Sequence, residues 1–277
     1  MPVNTILDTV RHGKPLDFTP FIDVHGHWGP WLDTAVPWCQ DDARLIAEMD
    51  RFGCDMIWMT ASDPGYSAPM REKNDIVFGL AAKHPDRIIP YCTLSANEPA
   101  QCLDELRRCL AMGRCIGVKM HRYTQPAYTL RSPFLQPVLE QMAEHRLVYL
   151  NHCYENHDHL QGAVAKYPGI TFVSGHFDPR INDLARAAAN LRDCTCAAMR
   201  PDEVGAEVAR LGRSDTMLVG SDAGLFCLAF GVGMIAYAEM AEEDKRNILG
   251  INGLRLLDLQ PWFHRDLLRC TRPPAAA

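Results

Sequence analysis

The sequence predicts an α/β fold in which eight parallel strands close into a single TIM-like (β/α)8 barrel with extra C-terminal helices. Three observations carry that expectation. Eight short runs are apolar without interruption rather than alternating, the pattern of strands buried on both faces. Amphipathic segments separate the runs, and such alternation implies parallel βαβ units. The chain has 277 residues, and α/β barrels reach about 250 residues as one unit. One domain over residues 1–277, with a barrel core at about 19–258, follows. A doubly wound open sheet is the competitor. It would carry a Gly-rich phosphate turn after its first strand, and HGHWG (25–29) is not one.

In order, the apolar runs are FIDV (21–24), CDMIWMT (54–60), RIIPYCT (87–93), CIGVKM (115–120), LVYLN (147–151), ITFVS (170–174), CTCAAM (194–199) and TMLVG (216–220). The first intervening helix is expected over 41–52, where Leu45, Ile46 and Met49 follow a 3–4 spacing and Gly53 supplies the stop. Further helices are expected over 70–83, 100–112, 134–144, 159–166, 183–191 and 203–211. Two or three more follow the eighth run, to residue 257, and the tail TRPPAAA (271–277) is expected to fray.

Composition narrows the function. Hydrophobic residues make up 47% and charged residues 22%, which excludes a disordered chain, a collagen-like repeat and a long coiled coil. A net charge of −6 without any Lys/Arg cluster gives no footing for nucleic-acid binding or a polybasic membrane anchor. The most apolar stretch, 225–238, is shorter than the ~20 residues that span a bilayer and reads as a buried helix. The first residues lack a basic region followed by an apolar one, so no signal peptide is expected. The 11 cysteines are an odd number, and Cys194-x-Cys196 lacks zinc-site spacing. Reduced thiols in a cytoplasmic protein are the plain reading.

Barrel enzymes work at the C-terminal ends of their strands. The first run ends in His25-Gly26-His27, and residues i and i+2 of a strand share a face, so two imidazoles converge. The fourth run carries Lys119 and His121 with the same spacing. The fifth ends in His152, the sixth in His176 and the eighth in Ser221-Asp222. Each alone has a structural explanation, a hydrogen-bonded imidazole or a helix-capping aspartate. Together they place metal-capable groups at the same end of separate strands.

Those residues, with FIDVHGH (21–27), HPDRIIPY (84–91), GVKMH (117–121), YLNH (149–152), FVSGH (172–176), LVGSD (218–222) and ILGINGLRLL (248–257), carry a family resemblance over nearly the whole chain. The sequence resembles the amidohydrolase superfamily, and within it the group that includes aminocarboxymuconate semialdehyde decarboxylase. The resemblance implies a distorted (β/α)8 barrel. It implies that His25, His27, His152 and Asp222 hold a divalent metal, zinc first, with Mn, Fe, Co or Ni also suited to such ligands. Asp222 would also take a proton from attacking water, and His176 would polarise the substrate, move a proton or hold a second ion. Lys119 is a carbamylated bridge between two ions, a substrate-binding or hydrogen-bonded amine, or a structural residue. Relatives suggest a homodimer or homotetramer.

His121, Lys119 and Arg122 are the expected substrate contacts. Arg180 and Arg200 also follow strands, although solvated surface placement is the simpler reading for them. His157 and His159 read as loop and helix-cap residues, Trp28, Trp31, Trp38 and Tyr66 as loop aromatics that either wall a substrate ring or simply pack the loop, and Phe226 as outer-layer packing. The first functional expectation is a hydrolase of a small amide, cyclic imide, lactone or ester. The alternative is metal-dependent, non-oxidative decarboxylation of an aromatic or enol acid. A non-catalytic binding barrel is the third reading, and it would predict decay of this constellation.

Overall fold

The computed structural model describes residues 5–29, 41–62, 69–121 and 126–268. Eight strands follow in chain order: β1 (Ile22–Trp28), β2 (Met56–Ala61), β3 (Ile88–Thr93), β4 (Gly117–Met120), β5 (Val148–Asn151), β6 (Thr171–Ser174), β7 (Leu191–Cys194) and β8 (Met217–Leu218). Neighbours in sequence are neighbours in the sheet, all parallel. The segment after β8 returns to β1. Val24 N–H donates to the Val219 carbonyl at 3.0 Å, Asp222 N–H to that of His25 at 2.9 Å, and His27 N–H to that of Ala223 at 2.6 Å. These bonds close the barrel.

The helices are α1 (Ile6–Arg11), α2 (Asp42–Phe52), α3 (Met70–Lys83), α4 (Cys102–Met112), α5 (Leu135–Glu144), α6 (His157–Lys166), α7 (Pro179–Ala185), α8 (Pro201–Leu211), α9 (Leu228–Ala236), α10 (Glu242–Arg246) and α11 (Asn252–Leu257). Local sequence explains their limits. The Asp41 carboxylate caps α2 by accepting from Arg44 N–H, and Gly53 ends it at φ 73°. A side chain at Gly53 would also strike the backbone of Leu16. Asn156 caps α6, so His157 and His159 lie in its first turn. No described helix is long and apolar enough to cross a membrane.

The seventh strand differs from expectation. It spans Leu191–Cys194 rather than 194–199, and the helix before it spans Pro179–Ala185 rather than 183–191. Arg192 and Asp193 interrupt the apolar pattern yet sit within the strand. Asp193 is buried behind the barrel wall, accepting from Asp178 N–H at 3.0 Å and from Asn182 Nδ2 at 2.9 Å. Arg192 satisfies the Ala189 and Leu191 carbonyls, each at 2.8 Å. Partners from the α7 segment for Asp193 and from the preceding backbone for Arg192 thus admit two charged residues to a buried strand.

Ile22, Val24, Met56, Trp58, Ile89, Tyr91, Val148, Leu150, Val173 and Leu218 fill the barrel as one cluster. Leu254 and Leu257 of α11 and Phe263 join it, closing the end where the strands begin. Residues of opposite parity, such as Ile57, Met59 and Val219, face the helices in separate clusters. Apolar packing therefore fills the lower barrel and leaves polar side chains at the strands' C-terminal ends.

Candidate metal centre

The metal-capable residues of β1 reach the barrel mouth through a bulge. Asp23 pairs with Ile57 but Gly26 pairs with Met59, so three steps on β1 match two on β2. Ile22 and Val24 belong to the barrel interior, whereas a Cβ on Gly26 would meet Ile57 and Met59 of the outer layer. The extra residue inverts the alternation, turning His25 and His27 inward. Trp28 thereby becomes the buried outward-facing end of β1 rather than a loop aromatic.

Both imidazoles converge on Asp222. Its Oδ1 lies 2.9 Å from His27 Nε2 and 3.6 Å from His25 Nε2. One ligand atom from each of His25, His27 and Asp222 lies within 4.8 Å of the others, and all three residues are buried. His25 Nδ1 lies 3.0 Å from the Gly175 carbonyl, which assigns the ring proton to Nδ1 and leaves the Nε2 lone pair facing the pocket shared by Lys119 and Asp222. Asp222 Oδ1 is buried without a well-directed hydrogen bond. Acceptor atoms from separate strands thus face one another in a buried pocket, a donor set that fits a divalent cation.

Lys119 projects from β4 into the same pocket, its Nζ 2.7 Å from His25 Nε2. Burial lowers its pKa to about 8, against the opposing pull of Asp222. His152 stands beside the triad rather than in it. His121, His152 and His176 form a file of rings, with centroids 3.9 Å apart for the first pair and 4.1 Å for the second. Burial, helped by the Lys119 charge, lowers the pKa of His121 to about 3 and of His176 to about 4. Burial and then His121 take His152 to about 2, and burial and then Lys119 hold His25 well below its usual range. These four rings are neutral at pH 7, the form that binds metals. Burial alone would raise the Asp222 carboxyl, but His25, His27 and Lys119 outweigh it and hold the pKa well below the carboxylate range.

Other expected contacts fall elsewhere. Arg122, Trp31, Trp38 and Tyr66 lie outside the described residues. Arg180 is exposed and pairs with Asp178 at 2.9 Å, and Arg200 is exposed beside Asp202 and Glu203. Phe226 does not pack the outer layer. It is 47% exposed, its N–H donates to the Asp222 carbonyl at 2.8 Å, and its ring lies 5.4 Å from that of Phe230. The tight turn after Asp222 brings it to the barrel mouth.

Two residues escape the sequence reading. Asp23, fully buried behind the histidines, accepts from His25 N–H at 3.0 Å and Ser221 N–H at 3.1 Å, and bonds the Ser221 hydroxyl. It clamps β1 to the segment bearing Asp222, and burial raises its pKa to about 7. Its position two residues before His25 was the available signal. Cys196 meets His176 and Asp222 in a second close group.

A closed (β/α)8 barrel with histidines and an aspartate converging at its C-terminal mouth defines a candidate metal-dependent barrel enzyme. The family model described as Amidohydrolase matches residues 22–259, and the chain belongs to that family. No curated protein matches it. Among solved structures, 2,6-dihydroxybenzoate decarboxylase complexed with 2,6-dihydroxybenzoate is similar, with 16% identity, a TM-score of 0.70 and coverage of 87% of this chain and 99% of that one. The 5-carboxyvanillate decarboxylase of Sphingomonas paucimobilis gives 16% identity, a TM-score of 0.68 and coverage of 86% and 98%. That of Novosphingobium aromaticivorans, complexed with manganese and 4-hydroxy-3-methoxy-5-nitrobenzoic acid, gives 14%, 0.68, and 87% and 96%. At such identities the likeness establishes the shared fold.

Proposed function

We propose that this chain is a metal-dependent, non-oxidative decarboxylase of an aromatic carboxylic acid. One observation carries the choice over hydrolysis. The similar structures include decarboxylases of hydroxylated benzoic acids, aligned over 86–87% of this chain. Hydrolysis, the first expectation from the sequence, keeps support only at the level of the family. The mouth suits a planar acid: neutral imidazoles of His121, His152 and His176 stand beside the cation pocket, and Phe226 offers an exposed ring.

In this reading His25, His27 and Asp222, with His152 beside them, hold the cation. When bound, it supplies positive charge that anchors the acid's oxygens and offsets charge developing on the ring. His176, neutral at rest, relays a proton from solvent to the ring carbon bearing the carboxylate, taking it up on one ring nitrogen and giving it from the other. The bond from that carbon to the carboxylate then breaks, its electron pair returns to the ring, and CO2 leaves. Lys119, against His25 and in the field of Asp222, fixes the local charge. Manganese accompanies two of the similar decarboxylases, so either manganese or zinc suits this reading.

The test offers metal-loaded protein a panel of hydroxybenzoic acids alongside amides, lactones and esters. Release of CO2, with one deuterium entering the vacated ring position in D2O, is expected. Turnover of the lactones or amides without CO2 would overturn the decarboxylase reading and restore the hydrolytic one.

A further inference from the structure

We propose that His176, Cys196 and Asp222 form a second cation pocket, for a thiophilic divalent ion such as zinc, cobalt or cadmium. It adjoins the pocket of His25, His27 and Asp222. One ligand atom from each of the three residues lies within 4.8 Å of the other two. Asp222 belongs to both groups, and a carboxylate has two oxygens with which to bridge two ions.

Cys196 reaches this place through backbone bonds rather than by chance packing. Beyond the end of β7, Thr195 N–H donates to the Leu218 carbonyl at 2.8 Å, extending the pairing towards the Asp222 segment. The Cys196 carbonyl accepts from Phe177 N–H at 2.9 Å, which ties it to the residue after His176. Ala197 then adopts φ 61°, a left-handed conformation uncommon outside glycine, and turns the chain. Gly220 completes the arrangement. A Cβ there would strike Cys194 Sγ first and would also stand 2.9 Å from His25 Cβ and 3.3 Å from Cys196 Cβ, so a bare backbone makes room for all three side chains.

A buried cysteine is ordinarily a small hydrophobe, and Cys194 fits that role inside the barrel. Cys196 differs because an imidazole and a carboxylate face it at ligand distance. Thiolate selects soft or borderline ions over manganese. Binding breaks the S–H bond, forms a sulfur–metal bond and releases the proton to solvent. The chain would therefore take two zinc or cobalt ions but one manganese ion. The inference concerns metal content: an ion held by His176 takes that ring out of proton delivery, so the decarboxylase reading applies to protein with only the first pocket filled.

Metal-free protein titrated with Co2+ provides the test, read as metal per chain and as thiolate-to-cobalt charge-transfer absorption in the near ultraviolet. Wild type should bind two equivalents with the band, whereas C196S and C196A should bind one and lose it. The C194A variant should keep both. A wild type without the band, or a band surviving in both Cys196 variants, overturns the proposal. Either result would leave the decarboxylase assay untouched. Because the wild-type band is itself a criterion, a misfolded variant does not rescue the idea.

Discussion

Asn74 offers the sharpest energetic test of how the mouth is held in place. It lies on α3, fully buried, yet it secures the end of β3. Thr93 N–H donates to Asn74 Oδ1 at 2.7 Å, and Asn74 Nδ2 donates to the Thr93 carbonyl at 3.1 Å and to Glu105 Oε1 at 2.8 Å. Thr93 in turn pairs with the Thr60 hydroxyl at 2.8 Å, and its strand neighbour on β4 is Lys119. In Asn74→Ala, Glu105 keeps its bonds from Arg108, at 2.6 and 2.9 Å. The buried Thr93 N–H loses its partner at a cost of about 1–3 kcal/mol, and its carbonyl loses less. The small cavity adds below about 1 kcal/mol. The sum, about 2–4 kcal/mol, is a large share of a typical stability of about 5–15 kcal/mol. Urea unfolding should show a lower midpoint, by about 1 M or more, at unchanged slope. Asn74→Asp should cost at least as much, because it turns a donor into an acceptor facing two acceptors. A loss below about 1 kcal/mol in the alanine variant would refute this accounting of buried donors.

Two further outcomes follow from buried groups away from the mouth. Burial raises the Asp193 pKa well above the carboxylate range, against hydrogen bonds from Asp178 N–H and Asn182. A raised folded pKa means that the native state holds the proton more tightly, so the penalty is absent below the unfolded value near 3.9 and grows as pH rises. Asp193→Asn should therefore melt higher relative to wild type at pH 8 than at pH 4; an advantage that does not change with pH would discredit the assignment. Trp58 fills the barrel with its indole Nε1 buried and unpaired. Trp58→Phe removes that orphan, a gain of about 1–3 kcal/mol, and leaves a cavity of roughly 40 Å3 that costs about 1 kcal/mol. Denaturant melts should place it level with or above wild type, and a loss beyond about 2 kcal/mol would count against the reasoning.

What the sequence disclosed, and what it hid, divides along physical lines. Continuous apolar runs are legible because parallel strands bury both faces, so the strands emerge from hydrophobicity alone. The limits of α3 are visible in the same way, and the structure places that helix at Met70–Lys83 as expected. The seventh strand was obscured because Asp193 is satisfied by partners on another segment and Arg192 by carbonyls just before it. Cys196 was hidden for a similar reason. Its neighbours, His176 and Asp222, follow the ends of β6 and β8, and no spacing within the chain reports that meeting.

The β1 bulge shows how a correct expectation can rest on an incomplete argument. Alternation does put His25 and His27 on one face. But the same alternation, run back through Val24 and Ile22, sends those apolar side chains into the barrel and the histidines out of it. The two requirements conflict within one regular strand, and the extra residue between Asp23 and Gly26 resolves them. The clamp then follows from geometry: Asp23 remains outside the wall, where it accepts from the His25 amide just beyond the inversion and from Ser221 across the seam. One carboxylate thereby holds both the bulge that aims two imidazoles and the segment that presents Asp222. The site depends on a departure from regular strand geometry at the place where packing gives way to chemistry.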